Sequence, residues 1–155
     1  MIEVGAPAPD FTLPDQDGNE VSLADLRGQT VVLAFFPAAF SPVCTDQLNI
    51  YEEVLPELRE RDVVLLAISV DNTFSLKAFR AHLGVSMPFL SDFHPKGEVA
   101  RAYGVLIEER GHTGRDLVMV GPEGEVVWTY RPPSPLEIPG ANLIFDALVG
   151  SPARR

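Results

Sequence analysis

Apolar and polar residues alternate along this chain with two different periods. Two nearly continuous apolar runs, at 31–36 and 62–70, have the length and the β-branched make-up of buried strands. Between them, apolar residues recur at steps of three and four, at Leu48, Tyr51, Leu55 and Leu58. This spacing predicts an amphipathic helix that ends near Arg61. Strand, helix and strand together predict a parallel βαβ unit.

The remaining pattern predicts an α/β protein that opens with a β-hairpin. Strand-like alternation at 8–13 and 20–23 flanks a turn-forming segment at 15–19. Further strands are predicted at 87–90, 115–120 and 125–130. Further helices are predicted at 73–83, 98–103 and 140–149, the first with Phe74, Ala78, Phe79 and Leu83 on its apolar side.

Local signals refine two of these helices. Pro56 interrupts the helix that follows residue 44, and it should kink or divide that helix because proline removes a backbone hydrogen bond. Asn72 or Thr73 suits the N-cap of the next helix, and Gly84 suits its end.

Composition and charge narrow the class of protein. The chain has 155 residues, 46% of them apolar and 22% charged, which predicts one globular domain over 1–150 and a flexible tail at 151–155. The net charge of −10 opposes binding to nucleic acid and to anionic membranes. No apolar run approaches the length of a membrane span, and the first residues lack the basic and apolar parts of a secretory signal. We therefore expect a cytoplasmic protein.

The candidate chemistry centres on Cys44, the single cysteine of the chain. Ser41 suits the N-cap and Pro42 the first helical position, which places Cys44 in the first turn. Backbone N–H groups there lack intrahelical partners and lie at the positive end of the helix, so they favour the nucleophilic thiolate. A lone cysteine is more often a small buried apolar residue, and that alternative stays open at this point. With one cysteine per chain, a partner must supply any second sulfur.

Three residues around the cysteine have a recognisable spacing. Pro37, Ser41 and Cys44 follow the order proline, three residues, threonine or serine, two residues, cysteine. This resembles the active-site signature of the peroxiredoxins, and 39–45 is most similar to their one-cysteine, AhpE-like branch. The resemblance covers nearly residues 3–149 and implies a thioredoxin-like fold. Such a fold has a central mixed β-sheet flanked by helices, here with an N-terminal β-hairpin.

The resemblance also implies roles for individual residues. Arg115 stands at the head of a predicted strand, where peroxiredoxins have an active-site arginine. A guanidinium there would stabilise the thiolate and hold a peroxide oxygen, whereas an arbitrary arginine at a strand start is more often a surface residue. By the same resemblance Cys44 is the nucleophile, Ser41 orients the peroxide and Pro37 limits solvent. Gln47 departs from the family, because a carboxylate is frequent at its position, and it could alter reductase docking or the charge around the site.

The function implied by the resemblance is thiol-dependent peroxide reduction. Hydrogen peroxide or an organic hydroperoxide would oxidise the cysteine to a sulfenic acid, and an external thiol would restore it. That reductant is a low-molecular-weight thiol or a thioredoxin-like or glutaredoxin-like protein, and the family also implies a homodimer or larger homo-oligomer. We expect no cofactor and no metal, since His82, His94 and His112 are scattered without ligand spacing.

Two other classes of function stay open from sequence. The first is a redox-sensing or holdase interaction module on the same fold, in which the cysteine is a slow switch. The second is an inert scaffold with an ordinary thiol. A sensor need not turn over with a thiol reductant, so rate and turnover distinguish these classes from a peroxidase.

Overall fold

The structure is a computed structural model that describes residues 1–134 and 136–150. The strands are β1 (Thr12–Pro14), β2 (Glu20–Ser22), β3 (Thr30–Phe35), β4 (Val63–Ser69), β5 (Phe89–Ser91), β6 (Leu106–Ile107), β7 (His112–Thr113), β8 (Leu117–Val120) and β9 (Val126–Tyr130). The α-helices are α1 (Pro42–Glu60), α2 (Thr73–Leu83), α3 (Glu98–Ala102) and α4 (Ala141–Gly150). The tail expected at 151–155 lies outside the described residues.

A five-stranded sheet in the order β5-β4-β3-β8-β9 forms the centre of the molecule. β3 runs parallel to β4, and β4 runs parallel to β5, while β8 and β9 are antiparallel to their neighbours. The predicted βαβ unit and the mixed sheet are therefore confirmed. A separate antiparallel hairpin of β1 and β2 pairs Leu13 with Val21, as the alternation at the start of the chain predicts.

Strand β3 is buried on both faces, which explains its continuous apolar sequence. Its alternate residues contribute to two clusters on opposite sides of the sheet. The helix face, packed by α1, α2 and α4, contains Val32, Ala34, Phe36, Cys44, Leu48, Tyr51, Leu55, Leu58, Leu76, Phe79, Ile144 and Leu148. The hairpin face, packed by the N-terminal hairpin and α3, contains Phe11, Leu13, Val31, Leu33, Phe35, Val99, Ala100 and Tyr103.

Helix α1 begins where its sequence predicts, and it ends at Glu60, beside the expected end near Arg61. Ser41 is the N-cap and Pro42 the first helical residue, so Cys44 is the third. The helix then runs through Pro56 without a break, so the division considered from sequence does not occur. Pro56 is exposed, and the carbonyl group that its missing N–H leaves unbonded can be met by water.

Helix α2 confirms the predicted cap and corrects the predicted apolar face. The Asn72 side chain accepts a hydrogen bond from Ser75 N, and Gly84 ends the helix in a left-handed conformation. The buried residues of α2 are Leu76 and Phe79, whereas Phe74 is 84% exposed. The apolar residues of α2 allow two overlapping helical faces. The face that contains Leu76 and Phe79 packs toward β5, and Phe74 lies on the other face.

The segment between α3 and β8 is also more ordered than its polar sequence indicates. β6 and β7 form a short antiparallel pair, with Leu106 opposite Thr113. Two-residue strands are too short to give a detectable alternation, so the polar, glycine-containing sequence at 108–114 does not predict this pair. Helix α4 lies within one residue of its predicted bounds.

Candidate active site

The cysteine lies where the central strand meets the longest helix. β3 ends at Phe35, and the next residue, Phe36, still donates its backbone N–H to the carbonyl of Ile68 in the neighbouring strand. The chain then turns through 37–41 and enters α1, whose first turn contains Cys44. The Cys44 side chain is fully buried. A buried thiol in the first helical turn lies among backbone N–H groups at the positive end of the helix dipole.

Arg115 reaches this cysteine because of the order of the strands. It lies just before β8, which pairs with β3 so that Leu117 stands opposite Ala34. The start of β8 is therefore beside the end of β3, where α1 begins. Arg115 Nη1 donates to Cys44 Sγ at 3.0 Å, although the two residues are 71 positions apart. Because Arg115 is only 4% exposed, its charge acts on the sulfur with little screening by solvent.

Gln47 is the next polar side chain along the buried face of α1, and it also contacts Arg115. The same Arg115 Nη1 donates to Gln47 Oε1 at 2.9 Å, and Gln47 is fully buried. The sequence indicates only that Gln47 could alter reductase docking or the charge around the site. The sequence feature that could have indicated this contact is the position of Gln47, one turn after Cys44 on the same side of the helix.

Tyr51 lies one turn after Gln47 on the buried side of α1, and its hydroxyl is hydrogen-bonded to Gln47. Gln47 Nε2 donates to the Tyr51 hydroxyl at 3.4 Å, and that hydroxyl donates to the carbonyl oxygen of Pro139 at 2.8 Å. Burial raises the pKa of Tyr51 to about 12, against smaller lowering effects of the Gln47 hydrogen bond and the Arg115 charge. The phenol therefore keeps its proton at neutral pH. Sequence reasoning identifies Tyr51 only as an apolar-face residue, since helical spacing does not show hydroxyl partners.

Ser41 and Pro37 lie in the turn before α1. Ser41 is the N-cap, yet its hydroxyl makes no capping bond, and its Oγ is buried with no hydrogen-bond partner among the described residues. A buried hydroxyl without a partner is unfavourable, so this oxygen is suited to meet a ligand. Pro37 is half-buried directly after Phe36. The structure brings Cys44, Arg115 and Gln47 into direct contact, and the catalytic roles of all these residues stay predictions.

A carboxylate that sequence reasoning missed holds the turn in place. Asp71 Oδ2 accepts from the backbone N–H of Ala39 at 2.8 Å and from Ser69 Oγ at 2.7 Å. Phe40 has a left-handed backbone with φ 68°, and its ring lies 5.0 Å from that of Phe79. A bulky residue rarely adopts this conformation, so packing and the Asp71 bond must stabilise it. Asp71 comes soon after β4, which lies beside β3. This position in the sequence is the feature that could have identified Asp71 as a residue near the turn.

Residues 1–134 and 136–150 contain neither a cluster suited to a metal ion nor a helix suited to a membrane. No group of three His, Cys, Asp or Glu residues in these ranges could hold a metal ion. No helix within the same ranges is long and apolar enough to cross a membrane.

Cys44 thus lies where a central strand meets the next helix, and the guanidinium of Arg115 donates to its sulfur. This arrangement is typical of thiol redox proteins with a thioredoxin-like sheet. Residues 4–129 match the AhpC/TSA family. The chain is 40% identical over 149 residues to alkyl hydroperoxide reductase E of Mycobacterium tuberculosis, covering 96% of this chain and 97% of that protein. The chain therefore belongs to the AhpC/TSA family, and with one cysteine it is a one-cysteine peroxiredoxin similar to the AhpE-like branch.

Solved structures give the same result for the fold. Enterococcus faecalis AhpC superposes with a TM-score of 0.88 at 26% identity, covering 97% of this chain and 93% of that one. The peroxidoxin BcpB of Mycobacterium tuberculosis superposes with a TM-score of 0.83 at 26% identity, covering 100% and 99%. The thioredoxin-like peroxiredoxin fold that the sequence resemblance implies is confirmed.

Proposed function

We propose that this protein is a thiol peroxidase that reduces hydrogen peroxide or organic hydroperoxides with Cys44 as the nucleophile. The single observation that supports this most is the buried hydrogen bond of 3.0 Å from Arg115 Nη1 to Cys44 Sγ. A buried cation that donates to sulfur stabilises the thiolate, the form that attacks a peroxide. The family and its named relatives, a hydroperoxide reductase among them, support the same reaction.

The first step forms a sulfur–oxygen bond and breaks the oxygen–oxygen bond. The Cys44 thiolate attacks one peroxide oxygen, and the other oxygen leaves with the bonding electron pair as hydroxide or alkoxide. That anion takes a proton and departs as water or an alcohol, while Cys44 remains as a sulfenic acid. Sulfur is oxidised by two electrons, and the peroxide is reduced by two.

Arg115 and the first turn of α1 stabilise the charge that moves during this step. The guanidinium and the backbone N–H groups of the first turn donate toward the leaving oxygen as it becomes negative. In this proposal Ser41 supplies a hydroxyl that orients the bound peroxide, and Pro37 limits access of solvent to the sulfur. The role of Ser41 is supported by its buried Oγ, which has no hydrogen-bond partner in residues 1–134 and 136–150.

Recycling needs a thiol from outside the chain, since the chain has one cysteine. A first external thiol attacks the sulfenic acid, releases water and forms a mixed disulfide with Cys44. A second thiol displaces Cys44 from that disulfide and restores the reduced enzyme. The reductant in this proposal is a low-molecular-weight thiol or a thioredoxin-like or glutaredoxin-like protein.

We also propose a homodimer or larger homo-oligomer, as the family resemblance implies. Phe40, Phe74 and Phe93 are 53%, 84% and 50% exposed, and they follow the carboxyl ends of β3, β4 and β5 at one edge of the sheet. Large apolar side chains that are exposed after the same ends of neighbouring parallel strands favour an interface. Sedimentation of wild type beside Phe74→Ser tests this, and an unchanged monomeric mass in both would contradict it.

A turnover assay tests the proposed function. Wild type supplied with a dithiol should consume hydrogen peroxide or an alkyl hydroperoxide through many cycles, and Cys44→Ser should consume neither. Mass spectrometry with a sulfenic-acid trap should locate the oxygen on residue 44. A single round of oxidation without thiol-dependent turnover would instead favour the redox-sensing or holdase module, which the relatives do not favour.

A further inference from the structure

Tyr51 is a buried titratable residue that the reaction above does not use. It lies on the helix face, and none of its surface is exposed to solvent. Its hydroxyl nevertheless has two polar partners, the Pro139 carbonyl oxygen and Gln47 Nε2. Through Gln47 it is connected to the guanidinium that contacts Cys44.

This connection has a direction that is fixed at both ends. The guanidinium of Arg115 can only donate hydrogen bonds, so Gln47 must turn its oxygen toward Arg115. The carbonyl group of Pro139 can only accept, so Tyr51 must give it the phenol proton and offer a lone pair to the Gln47 NH₂ group. Donation therefore runs from Arg115 to Gln47, from Gln47 to Tyr51 and from Tyr51 to Pro139.

We propose that Tyr51 is a positioning residue that, through Gln47, orients Arg115 toward Cys44. This inference rests on the proposed function, because Arg115 is the group whose placement it controls. Without the Tyr51 hydroxyl, the Gln47 NH₂ group loses its buried acceptor, and the amide can rotate away from the orientation that Arg115 needs. In the intact protein, the segment before α4 supplies the Pro139 carbonyl that holds Tyr51. This segment therefore also contributes to the geometry of the thiol site.

The identity of residue 47 fits this arrangement. A carboxylate would accept from Arg115, but it has no proton to donate to Tyr51. Tyr51 has one proton, so it could satisfy either that carboxylate or the Pro139 carbonyl, and the other buried oxygen would lose a donor. Gln47 satisfies both neighbours at once, so residues 47 and 51 form a matched pair.

Tyr103 provides a matched control on the opposite side of the sheet. It is also fully buried, and its hydroxyl donates to a proline carbonyl, that of Pro9, at 2.7 Å. Tyr103 belongs to the hairpin face, away from Cys44 and Arg115. Replacement of either tyrosine by phenylalanine removes one phenol-to-carbonyl bond, but only Tyr51→Phe also removes an acceptor of Gln47.

The experiment compares Tyr51→Phe with Tyr103→Phe in two measurements. The first is the second-order rate of Cys44 oxidation by hydrogen peroxide, and the second is the pH midpoint of thiolate formation, followed by alkylation rate. Tyr51→Phe should slow oxidation about tenfold, because small displacements of a positioned group reduce rate strongly, and it should move the midpoint to higher pH. Tyr103→Phe should leave both near wild type. Equal values in the two variants would overturn the proposal.

A double-mutant cycle tests whether Tyr51 acts through Gln47. Gln47→Leu should slow oxidation at least as much as Tyr51→Phe, and the combined variant should be no slower than Gln47→Leu alone. Additive losses would overturn the stated route. If Tyr51→Phe does not fold, Gln47→Leu alone decides, since wild-type rate and midpoint in that variant would contradict the proposal. If wild type itself fails to react with peroxide, the proposed function fails, and the alkylation midpoint still tests the positioning.

Discussion

Helices α1 and α2 begin side by side after neighbouring parallel strands, but their first turns are completed differently. At α2, Asn72 Oδ1 accepts from Ser75 N at 2.9 Å, so the cap belongs to the helix itself. At α1, the Ser41 hydroxyl caps nothing, and the first turn contains a buried cysteine that accepts from Arg115. The capped start of α2 stabilises that helix. At the start of α1, backbone N–H groups of the first turn are not capped by the Ser41 side chain and are available to a ligand. The same local signals in sequence therefore lead to two different uses.

Replacement of Arg115 should have the largest effect on the rate of peroxide reduction. It removes the buried charge that contacts the first turn of α1 and that has no counterpart at the Asn72 cap of α2. Arg115→Met should lower the rate of peroxide reduction about 10²–10³-fold, as expected for a donor that meets developing charge. Arg131→Met is the control, since Arg131 bonds Asp116 Oδ2 at 2.9 Å rather than the cysteine. Stopped-flow oxidation of both variants measures the difference, and equal rates would contradict the role of Arg115.

A change of charge at residue 47 should also affect Cys44 at the start of α1, with a smaller effect than loss of Arg115. Gln47→Glu brings a carboxylate against Arg115 and close to Cys44, so the pH midpoint of thiolate formation should rise, because a nearby negative charge opposes the thiolate. Asp46→Asn changes the charge by one unit in the opposite direction at an exposed neighbouring position, and it should move the midpoint little. Alkylation rate against pH measures both variants. No shift in Gln47→Glu would show that residue 47 does not act on the sulfur.

Replacement of the two N-caps compares the helix starts directly. Ser41→Ala should slow peroxide oxidation about tenfold, the value of one hydrogen bond, with little change in the free energy of unfolding. Asn72→Ala should leave oxidation unchanged and lower the free energy of unfolding by about 1 kcal/mol. Stopped-flow kinetics and denaturant unfolding measure the two quantities. The comparison fails if Ser41→Ala loses stability but keeps its rate.

The effect that is smallest at neutral pH is the loss of stability on ionisation of the phenol within α1, because this loss begins only above pH 10. Burial raises the pKa of Tyr51 from 10.0 to about 12, so above pH 10 the unfolded chain releases this proton while the folded protein keeps it. Its contribution to stability is therefore full below pH 10 and decreases as the pH rises toward 12, by about 1.4 kcal/mol per unit. Tyr51→Phe should flatten this part of the pH profile of denaturant unfolding. An identical alkaline slope in both proteins would contradict the assignment.

Local chemistry predicts the start of α1 well, because caps and first-turn residues depend on neighbours in sequence. Ser41, Pro42 and Cys44 occupy the predicted positions. The contact between Cys44 and Arg115 depends on β8 lying beside β3, which no local pattern contains, and only the family resemblance anticipates it.

Other features depend on tertiary packing in the same way. Phe74 fits a helical period but is exposed, and Gln47 is polar but buried, where it contacts the guanidinium of Arg115 just before β8. Helical spacing identifies Tyr51 only as a packing residue, because it indicates burial and not the partners of a hydroxyl group. Sequence periodicity therefore predicts the elements, while the polar network of the site requires the fold.

The most direct test of this account is stopped-flow fluorescence of the reduced protein mixed with hydrogen peroxide and then with an alkyl hydroperoxide. Trp128 packs against the cluster that contains Cys44, so it can report oxidation there. We predict a second-order signal, much faster than the reaction of free cysteine, that is absent in Cys44→Ser and accompanied by a sulfenic acid in the mass spectrum. If wild type reacts with both peroxides no faster than free cysteine, by fluorescence and by mass, Cys44 is not a peroxidatic thiol.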